Sequence, residues 1–293
     1  HRHFRRQRQM CIRDSLILMK LTRELHEKLN EDSKLIIFCD NKILYDHKEN
    51  TYSFERKDLN PIQQSGPYLC IAEVSGHFIY ALEIDPQDEI LGIFMDPKSI
   101  DFVDLRNILG FLDKESFLLL SRASILNLWK NQNIFCSICG TKNTFNLAEG
   151  AFECSCNQLP KYPTISPCII TLIHDDDKIL LGRSKYFPQD MYSTLAGFIE
   201  AGENAEEALV REVKEEVNVA VSNITYHSSQ SWPFPSQLML GYMCKYDTGE
   251  IVLNDAELED AKWFSITDLP AIPPDASISG QLIRSYIEDH LKL

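Results

Sequence analysis

Residues 197–219 read GFIEAGENAEEALVREVKEEVNV. Within them Ala205, Ala208, Leu209, Val213 and Val217 recur at three- and four-residue intervals, which predicts one buried stripe along an amphipathic helix. Asn204 stands just before that stripe with Glu207 three residues on, the arrangement of a capping box. Asn218 falls where the stripe ends, and Asn tolerates the left-handed conformation in which helices often stop. These local signals predict a helix over residues 205–217.

The same helix carries an unusual charge pattern. Glu212 and Glu216 are four residues apart and Glu215 is three from Glu212, so their carboxylates share one face. Like charges so placed cost a few tenths of a kcal/mol per pair. A solvated acidic face would tolerate that cost, whereas a bound hard cation such as Mg²⁺ would remove it and leave positions open for phosphate oxygens.

The full spacing favours the cation. Gly197, five residues, Glu203, seven residues, Arg211-Glu212-Val213, one residue, Glu215-Glu216, one residue, Asn218-Val219 resembles the Nudix box, with Asn218 in place of its last glycine. Matches at the other fixed positions would recur by chance on the order of 10⁻⁷ per start site under average composition. The resemblance implies a C-terminal Nudix α/β/α sandwich with a mixed sheet. It also implies that Glu212 and Glu216 ligate Mg²⁺ or Mn²⁺, helped by the Ala196 carbonyl and a late acid, Glu257 in AELEDAKWF. Glu215 would assist as ligand or base, and Arg211 would orient a carboxylate such as Glu203. The implied chemistry is attack of a metal-activated water on a nucleoside diphosphate derivative.

Flanking residues narrow the resemblance to the NADH pyrophosphatase subfamily. Gln230, Ser231, Trp232, Pro233, Phe234, Pro235, Ser236 and Gln237 lie in a string similar to that subfamily's marker SQPWPFPxS, with Ser231 in place of its first proline. Two prolines among aromatics predict a stiff extended segment whose rings either fill the core or stack on a base or nicotinamide. Upstream, Cys136 and Cys139 resemble the first knuckle of that subfamily's zinc ribbon, and a second pair follows, Cys154 and Cys156. Two such pairs mark a structural Zn²⁺ site. The second pair has one intervening residue where the subfamily usually has two, which leaves a metal-free ribbon as the alternative. Glu149, Tyr162 and Ser279 fall at positions that the resemblance implies contact substrate.

The substrate so implied is NADH or NAD⁺, cut to nicotinamide mononucleotide and AMP, with removal of NAD caps from RNA as a variant breaking the same bond. The alternatives are another Nudix substrate, ADP-ribose or FAD, and a regulator that senses a nucleotide without catalysis. A regulator would be expected to have lost a ligand glutamate or to show a basic stripe, and neither sign appears. A homodimer is implied by the subfamily alone.

The rest of the sequence bounds these expectations. A formal net charge of −14 from 29 Lys+Arg and 43 Asp+Glu disfavours general attraction to nucleic acid or anionic lipid. No apolar run approaches the ~18 residues of a membrane span, so no membrane partner is expected. Nine cysteines, four of them clustered, with no signal-peptide core ahead, predict reduced thiols in a cytoplasmic or similar compartment. Residues 1–15, HRHFRRQRQMCIRDS, are arginine-rich and read either as an organelle presequence or as a non-native leader. Overall an α+β protein is expected. Residues 16–131 would form an α+β domain, with a mostly antiparallel sheet from LIIFC at Leu35, KILY at Lys42, YLCIAEV at Tyr68, HFIYALEI at His77 and EILGIFM at Glu89. Two amphipathic helices, broken near Asp113, would follow between Phe102 and Lys130. Residues 132–161 would be the ribbon and 162–293 the Nudix domain.

Overall fold

The computed structural model describes residues 19–58, 67–84, 99–157, 159–253 and 258–291. The leader, the EILGIFM stretch and Glu257 lie outside the described residues. Two compact units divide the chain, residues 1–108 with 112–164, and residues 165–293 with 109–111, so the cysteine segment falls within the first.

In the first unit the expected runs at Leu35, Lys42, Tyr68 and His77 form strands, and three strands that were not expected, at Met19, Phe54 and Ile100, join them. These are β1 (Met19–His26), β2 (Lys34–Cys39), β3 (Lys42–Asp46), β4 (Phe54–Glu55), β5 (Tyr68–Val74), β6 (His77–Glu83) and β7 (Ile100–Val103). Their order is β1-β5-β6-β2-β3-β7, with β4 on β2. Pairing is antiparallel except between β2 and β6, which run parallel. The two expected helices are present with their break at Asp113, but the first is shorter than expected. Phe102 belongs to β7, where Ile100 and Phe102 alternate with Asp101 along β3, and only the short α1 (Leu105–Ile108) and a 3₁₀ turn follow. The break at Asp113 is the N-cap of α2 (Lys114–Gln132), its carboxylate accepting from Ser116 N. α2 lies on β5 and β6, and Arg122 pins it there by donating to the carbonyls of Ile71 (2.8 Å) and Thr22 (2.6 Å). The cysteine segment adds a small hairpin, β8 (Thr144–Asn146) with β9 (Ala151–Glu153).

The second unit contains β10 (Ser166–Asp175), β11 (Lys178–Arg183), β12 (Leu195–Phe198), α3 (Ala205–Val217), β13 (Ala220–Trp232), β14 (Gln237–Thr248), β15 (Asp260–Ser265) and α4 (Ile278–Leu291). Sheet order is β13-β14-β10-β11-β15, with β12 also on β10, and the β10–β14 pair is parallel within an otherwise antiparallel sheet. Strand alternation divides the core between two helices. Ile169 and Ile173 of β10 join the cluster under α3, while Cys168, Ile170 and Leu172 join the one under α4. The result is the expected α/β/α sandwich with a mixed sheet.

α3 runs over the predicted residues. Asn204 Oδ1 accepts from Glu207 N (2.9 Å) while Glu207 Oε2 accepts from Asn204 N (3.0 Å), closing the capping box. Asn218 ends the helix in the left-handed region with φ 59°. Leu209, Val213 and Val217 are fully buried, and burial of such side chains contributes about 1.5–3 kcal/mol each, far more than the acidic face costs. Asn204→Ala is expected to lower stability by about 1 kcal/mol, read as a shift of the urea midpoint at unchanged slope.

Candidate active site

The site begins with a close approach. A Cβ on Gly197 would lie 1.9 Å from Glu212 Cδ and 2.2 and 2.3 Å from its carboxylate oxygens, so the Glu212 carboxyl rests where any other side chain would stand. β12 therefore presents bare backbone to α3, with Ala196 beside the contact.

Arg211 organises the carboxylates around it. Its Nε donates to Glu203 Oε1 (2.6 Å) and Nη2 to Glu203 Oε2 (2.9 Å), a bidentate pair. Nη1 donates to Glu212 Oε1 (2.9 Å) and Glu215 Oε2 (3.0 Å), and Nη2 also reaches the Phe198 carbonyl (2.9 Å). All five guanidinium N–H groups are thereby used. Hydrogen bonds from Arg211 hold the Glu203 carboxyl down at about 2, and the same carboxylates raise Arg211 above its ordinary value. Glu203 also accepts from Glu200 N (3.0 Å), which closes the loop before α3.

The remaining acids differ in exposure. The Glu215 side chain is 54% exposed and that of Glu212 13%, while Glu216 is buried at 6%. Four carboxylates against one guanidinium leave a local excess of negative charge, and the donors are all hard oxygens. Such a set fits a divalent cation that takes oxygen ligands. Glu203, Glu212 and Glu215 are held on Arg211 in this structure.

Strand register gathers the other candidate residues at one end of the sheet. Cys168 pairs Phe198, Ser166 pairs Gln237, Trp232 pairs Gln237, and Arg183 pairs Asp260. Hence the ends of β11, β12 and β13 and the starts of β10, β14 and β15 share one rim. Ser231 and Trp232 close β13, Pro233, Phe234, Pro235 and Ser236 form the turn, and Gln237 opens β14. This corrects the expected extended segment to a hairpin, because the prolines occupy turn positions where no ladder donor is needed. Trp232 packs edge-on against Phe234 with centroids 5.3 Å apart and borders the α4-side cluster, so it serves rim and core at once.

Two of the expected substrate contacts serve α4 instead. Gln230 donates to the Ala276 carbonyl (2.6 Å) and accepts from Ile278 N (2.7 Å), which fixes the helix start. Ser279 is buried, its hydroxyl bonded to Ser193 Oγ (2.8 Å), Thr194 Oγ1 (2.9 Å) and Thr194 N (3.2 Å). Phe198 escaped the sequence reading. It is 49% exposed on the rim directly after Gly197, and an aromatic inside the box-flanking GFI is the signal that could have shown it.

In the first unit the donor sulfurs of Cys136, Cys139, Cys154 and Cys156 all lie within 4.8 Å of one another. The short Cys154-Ser155-Cys156 spacing therefore does not prevent convergence. A backbone hydrogen bond from Cys156 brings the Cys154 thiol down to about 6, whereas its hydrogen bond with Cys154 pushes the Cys156 thiol up to about 12. Four thiols this close share few protons, and a soft tetrahedral cation would suit all four as thiolates. Tyr162 donates a short hydrogen bond to the Glu149 carboxylate, so these two candidates are also brought together.

Residues 164–286 match the NUDIX domain family. The NAD-capped RNA hydrolase NudC of Pseudomonas aeruginosa (strain LESB58) is 39% identical over 256 residues, covering 86% of this chain and 88% of its own. The protein of the same name from Pseudomonas fluorescens (strain Pf0-1) is 38% identical over 255 residues, covering 87% of each. Among solved structures, a NUDIX hydrolase from Nitrosomonas europaea is 20% identical with a TM-score of 0.44, over 54% of this chain and 92% of that one. The chain belongs to the Nudix hydrolases, in their NADH pyrophosphatase subfamily.

Gly197→Ala is expected to displace the Glu212 carboxylate and to weaken Mn²⁺ binding at least tenfold, measured by paramagnetic relaxation, with the fold retained by circular dichroism. The Arg211–Glu203 pair should show in the pH dependence of stability. Glu203 is depressed from its usual 4.5 to about 2, so its contribution is complete above pH 4.5 and is lost as pH falls toward 2. Urea midpoints of wild type and Glu203→Gln should therefore converge across that interval.

Proposed function

We propose that the protein hydrolyses the diphosphate of NADH and NAD⁺ to nicotinamide mononucleotide and AMP, and removes the NAD cap from RNA 5′ ends by the same cleavage. The observation that carries this reading is the Arg211-centred carboxylate cluster closed over Gly197, in a chain whose relatives named above are NAD-capped RNA hydrolases. Glu212 and Glu216, with the Ala196 carbonyl and Glu257, would hold Mg²⁺ or Mn²⁺. When bound, the ion lowers the pKa of a water and offsets charge on the transferring phosphoryl group. Arg211 and Glu203 keep the helix and its preceding loop in one geometry. Glu215, the exposed member, would accept a proton from the attacking water.

Recognition of a ring system is assigned to the rim of the second unit. Trp232 and Phe234 of the hairpin and the exposed Phe198 offer faces for a base or nicotinamide. Ser231, Pro233, Pro235, Ser236 and Gln237 shape the turn that carries those rings. Gln230 and Ser279 act through α4, whose start they anchor.

Zn²⁺ on Cys136, Cys139, Cys154 and Cys156 would hold the small hairpin segment together, supplying on the order of 10 kcal/mol beside the Trp129–Phe145–Phe152 ring contacts. A homodimer would find apolar surface in Phe135 and Ile138, which are 60% and 71% exposed. The described cysteines are free thiols, which suits a reducing compartment such as the cytoplasm. No described helix is long and apolar enough to cross a membrane.

Product analysis with NADH, NAD⁺, ADP-ribose and NAD-capped RNA tests the activity. Glu216→Gln is expected to lower turnover at least a hundredfold while leaving the melting temperature near wild type, and wild type that released no AMP from NADH with Mg²⁺ or Mn²⁺ would overturn the reading. For the ribbon, about one zinc per chain is expected. Cys156→Ser should lose that zinc by elemental analysis and melt earlier.

A further inference from the structure

Residues 184–191 leave the rim between β11 and β12 and have no place in the chemistry described so far. Arg183, at the end of β11, fixes this loop from beneath. Its Nη1 donates to the carbonyls of Met191 (3.2 Å) and Pro188, its Nη2 to that of Phe187 (3.4 Å), and its Nε to the Glu259 carboxylate. Reciprocal hydrogen bonds between Gly182 and Ser193, each 2.9 Å, close the loop's base.

On this fixed base the loop displays aromatic surface. Tyr186 is 84% exposed, so burial does not explain it, and Phe187 beside it is 36% exposed. Lys185 Nζ stands 5.2 Å from the Tyr186 ring centroid. An exposed ring beside a lysine, on a backbone already ordered, is the composition that stacks a nucleobase and neutralises the neighbouring phosphate. Prior ordering reduces the entropy lost on contact.

Topology places this pair on the flank of the box away from the marker. In the sheet order, the hairpin with Trp232 and Phe234 ends β13 and opens β14, whereas the loop starts from β11, with β10 and β12 between them. A dinucleotide held at Gly197 with rings toward the hairpin leaves the opposite flank to whatever continues from it. We propose that Lys185 and Tyr186 form a stacking platform for the first nucleotides of single-stranded RNA beyond an NAD cap. The inference rests on the cap-removal reading above and adds to it a contact that free NADH does not make.

The test compares kcat/KM for NADH with that for a short NAD-capped oligoribonucleotide. Tyr186→Ala and Lys185→Ala are each expected to lower the capped-RNA value about tenfold and to leave the NADH value within twofold. Tyr186→Phe should restore most of the loss, since it keeps the ring. Parallel loss on both substrates, unchanged capped-RNA turnover in both alanine variants, or wild type that cleaves NADH but not the capped oligonucleotide would each overturn the platform. Wild type that cleaves neither would instead overturn the activity on which it rests.

Discussion

The Arg211 guanidinium joins three segments that are otherwise held apart by their own charge. It takes the Phe198 carbonyl from β12, both oxygens of Glu203 from the following loop, and one oxygen each of Glu212 and Glu215 from α3. A lysine could not replace it, because a single ammonium has neither five donors nor a planar fork to grip a carboxylate bidentately. With the arginine in place, an acidic helix can lie against a strand whose glycine admits the Glu212 carboxyl. The surplus negative charge that remains is then a property of the site.

Around that junction the sandwich assigns separate tasks to its two faces. The α3 side carries the acids over a stripe of small and branched residues, Ala208, Leu209, Val213 and Val217. The α4 side carries no charge chemistry and is instead a fastening, through Ile278, Leu282 and Ile283 in the core and through Gln230, Ser193 and Thr194 at the helix start. The parallel β10–β14 pairing brings the hairpin and the box to the same end of the sheet. A fully antiparallel neighbour would have turned one of them to the opposite end.

What was legible in the sequence follows the range of the forces involved. α3 could be read to the residue because its caps, stripe and end are local, each set within four positions. The marker string was misread as extended, since prolines signal stiffness equally in a strand and in a turn, and only pairing of Trp232 with Gln237 decides between them. Phe102 was misread as helical because its apolar neighbours fit two periods, and strand β3 selects one. The close approach of Glu212 to Gly197 spans fifteen positions and leaves no periodic trace, so it reaches a reader only as a spacing shared with a family. The same holds for the convergence of Cys154 and Cys156 on Cys136 and Cys139, which depends on the β8–β9 hairpin rather than on the number of residues between the cysteines.

The fastening of α4 bears on how this unit comes into being. During synthesis the strands and α3 emerge first, yet the face formed by Cys168, Ile170, Leu172, Ile179 and Leu181 has no cover until residues 278–283 arrive. Until then the nascent sheet shows a wide apolar surface and an unfilled Gln230 amide to the cell, the kind of surface that chaperones hold and that drives aggregation. Helix α4 is thus the lid on this sheet, and the speed with which it docks decides how long the newborn unit needs protection.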